Sequence, residues 1–403
     1  MSRRSQMRRF APLVGVALLL AACGGNQKLP QNYLDPKGPA ARTINNLFMP
    51  VLGVAGVVFV IVLGLCLFVP LKFRARKDAD EDVAPRQIHG NFALEIGWTI
   101  VPALILIVIG VFTLKTVFTL SKEPPKTALS VEVIGQQWWW EYRYDLDRDG
   151  KFDEIVTAND LVIPAGEKVK LTITSRDVIH SFWVPKLNGK RDAVPGRKHP
   201  LWLQADKPGE YVGQCTEFCG LSHAEMRIKA VALSRSAFDD WTKRMQRTAP
   251  RYSADDTSLA AQGYQVFTQQ LCASCHVING VNDKQTKKFT ADGGIKTPGL
   301  QVSGRAPNLT HLMARTTFAG GKFYLRKNTK ECNALGLNWA QKPADLQRCI
   351  DRTALEAWLR NPPGQKAMAP EPVPGRTGRR GMPNLNLSEQ QIDQLVAYLE
   401  TLK

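Results

Sequence analysis

The chain has 403 residues, 44% hydrophobic and 22% charged, with 53 Lys+Arg against 36 Asp+Glu for a formal charge of +17. That composition excludes a disordered tail and a collagen-like repeat, and a mean hydropathy of −0.20 excludes a chain embedded in a membrane throughout. The basic residues are scattered without an organising motif, so the charge does not indicate nucleic-acid binding; eight cysteines are too few for a disulfide scaffold of this length, so their spacing decides their use.

The first elements are a leader and a membrane hairpin. Arg3, Arg4, Arg8 and Arg9 precede an apolar run over residues 10–22, the shape of a signal peptide. Leu20-Ala21-Ala22-Cys23-Gly24 resembles a bacterial lipobox, which implies cleavage after residue 22 and lipidation of Cys23. Loss of residues 1–22 takes four arginines and lowers the charge from +17 to +13. Apolar runs at 47–69 and 92–114 are long enough to span a bilayer and predict helices over about 47–71 and 92–118. The basic stretch from Lys72 to Lys77 puts the loop between them in the cytoplasm. Both hairpin ends, and everything after about residue 115, are then expected outside the bacterial cell membrane. Pro50 and Pro102 read as lying near helix starts, where proline costs little. Glu95 falls at the start of the second helix; a carboxylate at a membrane boundary is costly enough to suggest function, with interfacial solvation as the plain alternative.

From residue 129 the pattern turns to strand. Val131-Glu132-Val133-Ile134 and Lys168 to Ile173 alternate or run β-branched, and Pro164-Ala165-Gly166-Glu167 reads as a turn. Short strands with Gly/Pro turns predict a small all-β sandwich or barrel. Its chemistry lies in Cys215-Thr216-Glu217-Phe218-Cys219-Gly220-Leu221-Ser222-His223-Ala224-Glu225-Met226. Thiolates, imidazole and thioether are soft donors that suit copper rather than magnesium or calcium. Two cysteines allow two coppers bridged by two sulfurs, and a second imidazole must come from elsewhere. His180, in an upstream loop ahead of Ser181-Phe182-Trp183, is the nearest donor. A C-x3-C pair alone is as compatible with a disulfide; the full set with His223, Met226 and His180 favours metal.

These motifs, with the hairpin, resemble subunit II of haem–copper cytochrome c oxidases. The resemblance implies a cupredoxin fold at 127–233 and a binuclear copper A centre held by His180, Cys215, the backbone carbonyl of Glu217, Cys219, His223 and Met226. It further implies that the Glu217 carboxylate binds magnesium at the interface with subunit I. By the same resemblance Trp138, in Gln137-Trp138-Trp139-Trp140-Glu141, is the residue through which electrons arrive, against a plain packing role for an aromatic cluster. Glu95 is implied at the mouth of a proton channel in subunit I. Quinol-oxidising relatives lack these ligands.

After a helix and linker over 234–255, a helical pattern from Leu259 leads into Cys272-Ala273-Ser274-Cys275-His276. This C-x-x-C-H motif attaches c-type haem through Cys272 and Cys275, with His276 as an axial iron ligand. Met382 and Met368 are the candidates for the opposite ligand. Met382-Pro383-Asn384-Leu385, followed by a helix capped at Ser388 and ending near Leu402, resembles the methionine loop and last helix of class I cytochromes c, which favours Met382. The same resemblance makes Pro307 the residue whose carbonyl orients the haem histidine; His311 reads as loop packing. The stretch 320–351 exceeds a minimal cytochrome. With the other cysteines assigned, Cys332 and Cys349 are expected to pair as a disulfide there, and Cys66 to pack within the first membrane helix.

The expected organisation is a leader at 1–22, a hairpin segment at 23–126, a cupredoxin domain at 127–233, a linker at 234–255 and an all-α cytochrome c domain at 256–403. The implied protein is a caa3-type subunit II. It takes electrons from an external donor such as a cytochrome c or a cytochrome bc complex, and works with oxidase subunits I and III. A copper-delivery protein would also use a thiol pair and a histidine, but not six ligands or a haem. Among copper A proteins, the hairpin and tryptophan run favour an oxidase over a nitrous or nitric oxide reductase.

Overall fold

The computed structural model describes residues 29–74, 89–270, 272–283, 306–334, 348–369 and 381–403; the leader and Cys23 lie outside them. The chain divides into a helical unit, Arg42–Lys122, and a second unit formed by the rest.

Two apolar helices make the first unit, α1 (Pro39–Lys72) and α2 (Phe92–Leu120), both long and apolar enough to cross a membrane. At about 1.5 Å per residue each exceeds the roughly 30 Å of bilayer hydrocarbon. Helix α1 begins well ahead of the apolar run. Pro39 suits a first helical position, its fixed φ being already helical, and no further breaker follows before the run. Pro50 and Pro102 lie inside the helices rather than near their starts. The expectation borrowed a rule from soluble helices; membrane helices accept interior proline because neighbouring groups re-satisfy the freed carbonyl. Helix α2 is capped by Asn91, whose Oδ1 accepts from the Leu94 N–H at 3.2 Å. Glu95 sits in its first turn, where the helix dipole favours negative charge.

The second unit opens with a β-sandwich. One sheet has the order β3 (Ile155–Ala158), β2 (Trp139–Asp145), β1 (Leu129–Gln136), β5 (Val169–Ser175), β8 (His199–Leu203). The other runs β4 (Asp160–Pro164), β10 (Arg227–Leu233), β9 (Gly209–Cys215), β6 (His180–Trp183), β7 (Arg191–Ala193). Strand β5 alternates buried and half-buried residues along its length, the period-2 signature of a sheet with one covered face. The tryptophan and tyrosine run sits in β2, with Trp140, Tyr142 and Tyr144 fully buried. The Tyr144 hydroxyl ties the sheets together, donating to the Val162 carbonyl and accepting from its N–H, both at 2.9 Å. Helix α3 (Arg235–Met245), capped by Ser234, lays Phe238, Trp241 and Met245 on this core.

A helical domain follows. Helix α4 (Leu259–Gln269) crosses α9 (Glu389–Leu399) so closely at Gly263 that a Cβ there would strike the Gln394 backbone. Tyr264 and Phe267 meet Tyr398 at ring-centroid distances of 5.6 and 5.8 Å. Ser388 caps α9 with a full capping box through Gln391. Between the two helices come α5 (Cys272–Cys275), the two-stranded β11 (Thr317–Phe318) and β12 (Phe323–Tyr324), α6 (Lys330–Ala334), α7 (Arg352–Arg360) and α8 (Pro362–Gln365). Cys332 and Cys349 are joined by a disulfide with Cα atoms 5.6 Å apart.

The helical domain is seated on the sandwich through buried polar contacts. Asp160, 2% exposed at the head of β4, accepts from the Thr316 N–H and hydroxyl at 2.7 Å each and from the Thr317 hydroxyl at 2.9 Å. The Lys366 ammonium donates to the carbonyls of Trp138 at 2.9 Å and Ala319 at 2.8 Å.

Candidate metal centre

Strand β9 ends on Cys215 and β10 begins at Arg227, which pairs with Gln214. The intervening loop therefore folds back over one end of its sheet. Strand β6 pairs with β9 in the register Phe182↔Cys215, which brings His180 beside the loop. His180 is the first residue of that strand rather than part of a loop, and it is fully buried. Gly135 makes the room for its ring: a Cβ there would lie 2.8 Å from the imidazole Cδ2.

The donors converge. The Cys215 and Cys219 sulfurs lie 3.8 Å apart and unbonded. The Cys215 sulfur is 4.0 Å from His180 Nδ1 and 3.3 Å from the Glu217 carbonyl oxygen. Cys219 Sγ is 3.5 Å from His223 Nδ1 and 3.8 Å from Met226 Sδ. Glu217 itself is exposed, as are Phe218 and Leu221 of the same loop and Ile179 just ahead of β6. The two thiols are unequal acids. The neighbouring Cys219 thiol, with His180 and backbone N–H groups, brings Cys215 down to about 4 against the opposing effect of burial. Cys219, beside that thiolate and buried, is pushed upward. A soft cation would displace the remaining proton, as thiolate ligation requires.

Asp177 orients the His180 ring, its Oδ1 lying 2.8 Å from Nε2 and leaving Nδ1 toward the sulfurs. Burial lowers the affinity of that imidazole for a proton, and the Asp177 and Cys215 charges outweigh it, so its pKa sits above the usual value. Trp138, 4% exposed, donates its indole N–H to the Cys219 carbonyl at 3.1 Å, and Gln137 Nε2 donates to the same oxygen at 2.6 Å. Lys366, 3% exposed, closes over this side from the helical domain; burial drops its ammonium to about 7.

A second donor set lies in the helical domain. Cys272 and Cys275 stand one turn apart on α5 as free thiols. The following His276 has Nδ1 2.8 Å from the Pro307 carbonyl. Nδ1 therefore carries the hydrogen, and Nε2 keeps its lone pair for a metal. Met382 packs on the same apolar core as Cys272, whereas Met368 packs on the sandwich core. His311 is buried in loop packing, with Nδ1 2.8 Å from the Lys403 carbonyl and Nε2 3.0 Å from the Arg247 carbonyl.

A family model described as cytochrome c oxidase subunit II, periplasmic domain, matches residues 129–233, and one described as its transmembrane domain matches 27–116. Cytochrome c oxidase subunit 2 of Alkalihalophilus pseudofirmus is 34% identical over 402 residues, covering 98% of this chain and 97% of that protein. The chain belongs to the cytochrome c oxidase subunit II family. As such it is a membrane protein with a cupredoxin-like extracytoplasmic domain and a subunit of an oxidoreductase, the haem–copper oxidase complex. Quinol oxidase subunit 2 of Bacillus anthracis is also similar, 32% identical over 61% of this chain and 83% of its own. The crystal structure of the periplasmic domain of subunit II from Bradyrhizobium japonicum is 30% identical over 31% of this chain and 97% of that one, with a TM-score of 0.28.

The sequence motifs contain every donor at this centre, but not its support. Asp177 had a local signal, a carboxylate three residues before a histidine. Lys366 had none, because it acts from the far side of a domain contact.

Proposed function

We propose that this oxidase subunit is of the caa3 type, with residues 256–403 forming a class I cytochrome c domain fused to a copper A domain at 127–233. On this reading the chain takes electrons from an external donor and delivers them to subunit I, where oxygen is reduced to water and protons are pumped. The carrying observation is the convergence of two unpaired thiols, two imidazoles, a thioether and a carbonyl beneath a domain that bears a haem-attachment motif. Such a set fits two coppers and sets the chain apart from quinol oxidases.

His180, Cys215, the Glu217 carbonyl, Cys219, His223 and Met226 would hold the coppers. A two-metal, two-thiolate core supplies one-electron exchange with little change of shape. The chain's own part is to keep that geometry rigid and dry. Asp177 fixes the His180 ring, Gly135 leaves it space, and Trp138 and Gln137 pin the Cys219 carbonyl. Cys272 and Cys275 would bind haem c, and His276 and Met382 would be the residues that hold its iron; the Pro307 carbonyl sets the His276 tautomer. Trp138 would be the point at which electrons enter from the helical domain, a role supported by its burial, its indole N–H held by the Cys219 carbonyl and its own carbonyl by Lys366.

The exposed Glu217 carboxylate would hold magnesium with subunit I, and the exposed apolar Phe218, Leu221 and Ile179 suit that contact. Glu95 would stand at a proton-channel mouth in subunit I, and subunit III completes the complex. Cys23 anchors the matured chain, and both termini and redox domains lie outside the cell membrane. The purified full-length chain is expected to show a haem c spectrum, two coppers per chain and a mixed-valence copper signal. One copper or none overturns the copper A reading; absence of covalent haem overturns the fusion.

A further inference from the structure

The turn between β2 and β3 gathers carboxylates away from the soft donors. Its sequence is Asp145-Leu146-Asp147-Arg148-Asp149-Gly150-Lys151-Phe152-Asp153-Glu154. Carboxylates at every second position followed by glycine are the spacing of calcium loops. We propose that this turn binds one divalent cation of the calcium type through Asp145, Asp147, Asp149 and Glu154.

The geometry carries the proposal. One carboxylate oxygen from each of the four residues lies within 4.8 Å of all the others. Ligands about 2.4 Å from a calcium ion stand up to roughly 5 Å apart across it, so this spacing is of the size that one shared ion requires. Gly150 turns the chain at φ +83°, where a side chain would be strained. The Leu146 N–H donates to Glu154 Oε2 at 3.2 Å, and the Asp149 N–H to Asp147 Oδ1 at 3.1 Å, which draws the carboxylates inward.

Asp145 gives an independent reason. It is only 5% exposed, and its Oδ1 is closed off from solvent with no hydrogen-bond partner among the described residues. A buried carboxylate oxygen left unpaired is costly, and native structures nearly always supply a partner. The ion pair formed within the cluster is that of Asp149 with Lys151, an exposed side chain that leaves Asp145 unserved. Four oxygens without sulfur or imidazole select a hard ion, and calcium, with its variable coordination, demands less of the turn than strictly octahedral magnesium. The turn differs from helix–loop–helix calcium loops in being flanked by strands and in having its glutamate four residues after the glycine rather than six.

The test is calorimetric titration of the chelator-treated full-length chain with calcium chloride, at physiological ionic strength and with magnesium present. The expected result is one calcium per chain with a dissociation constant on the order of 10⁻⁴ M, the range of extracellular modules. Asp145→Asn and Asp147→Asn each weaken binding by about tenfold or more. Asp147 is exposed, so its variant stays informative if Asp145→Asn fails to fold, and copper content reports the fold of both. Asp153→Asn, outside the cluster, leaves the calcium affinity unchanged. No saturable binding, equal binding by Asp147→Asn, or magnesium binding as tight as calcium overturns the site.

Discussion

At the scale of single residues, the copper-type centre rests on side chains that touch no metal. Asp177 is the clearest. Its Oδ1 faces His180 Nε2 at 2.8 Å while Oδ2 accepts the Gln137 N–H at 2.8 Å. One carboxylate thus locks both the imidazole and the backbone that leads into Trp138. Asp177→Asn keeps the shape and removes the charge that raises the basicity of His180. The expected outcome is a copper affinity lower by about 10–100-fold, the usual cost of losing such an outer partner, read by competition with a copper chelator. An unchanged affinity would remove Asp177 from the support of the site.

Elements show why some of this was legible in sequence and some was not. The donors of the thiol loop are contiguous because one β9–β10 connection carries them, and Cys272, Cys275 and His276 are contiguous because one helical turn presents them. Strands β1 and β5 announced themselves by alternation, and α9 by its cap at Ser388. The membrane helices were legible in their apolar parts only. The interior prolines follow from solvation by lipid, which a propensity rule for water does not include, and the early start of α1 follows from Pro39 at its first position. The insert is held by the Cys332–Cys349 disulfide across a separation of 17 residues. A closed loop of that size stabilises by about 3 kcal/mol through the unfolded chain. Replacing both cysteines by serine is expected to lower the unfolding free energy of the helical domain by about 2–4 kcal/mol. In the wild type, reduction under denaturing conditions should expose one further alkylatable pair by intact mass; no change in mass would contradict the bridge.

At the scale of the whole chain, the contacts that matter join residues far apart in sequence. Lys366 and Trp138 are 228 positions apart, and Asp160 and Thr316 are 156 apart. No local pattern announces such pairs, which is why the sequence yielded two chemistries but not their seating on one another. The seating is polar and buried, so it is specific and intolerant of a missing partner. In Lys366→Met the carbonyls of Trp138 and Ala319 lose their donor in a dry contact, at a cost of about 1–3 kcal/mol for each group left unsatisfied. Urea unfolding of the intact chain should then split into separate transitions for sandwich and helical domain, and protease cleavage within the exposed stretch at 251–259 should accelerate. A single transition at the wild-type midpoint would show the clamp to be dispensable.

Lys366 and Gly320 close on the Trp138 carbonyl, and the residue is 4% exposed. On the proposed reading a diffusing carrier would find no bare landing area at Trp138 while the helical domain is seated, and that domain would act at a fixed local concentration, of about millimolar order for a short tether. On the proposed caa3-type reading, respiratory flux would be insensitive to dilution of soluble carriers and to the salt that weakens their encounters, and would be governed by how fast the helical domain is refilled from the donor side.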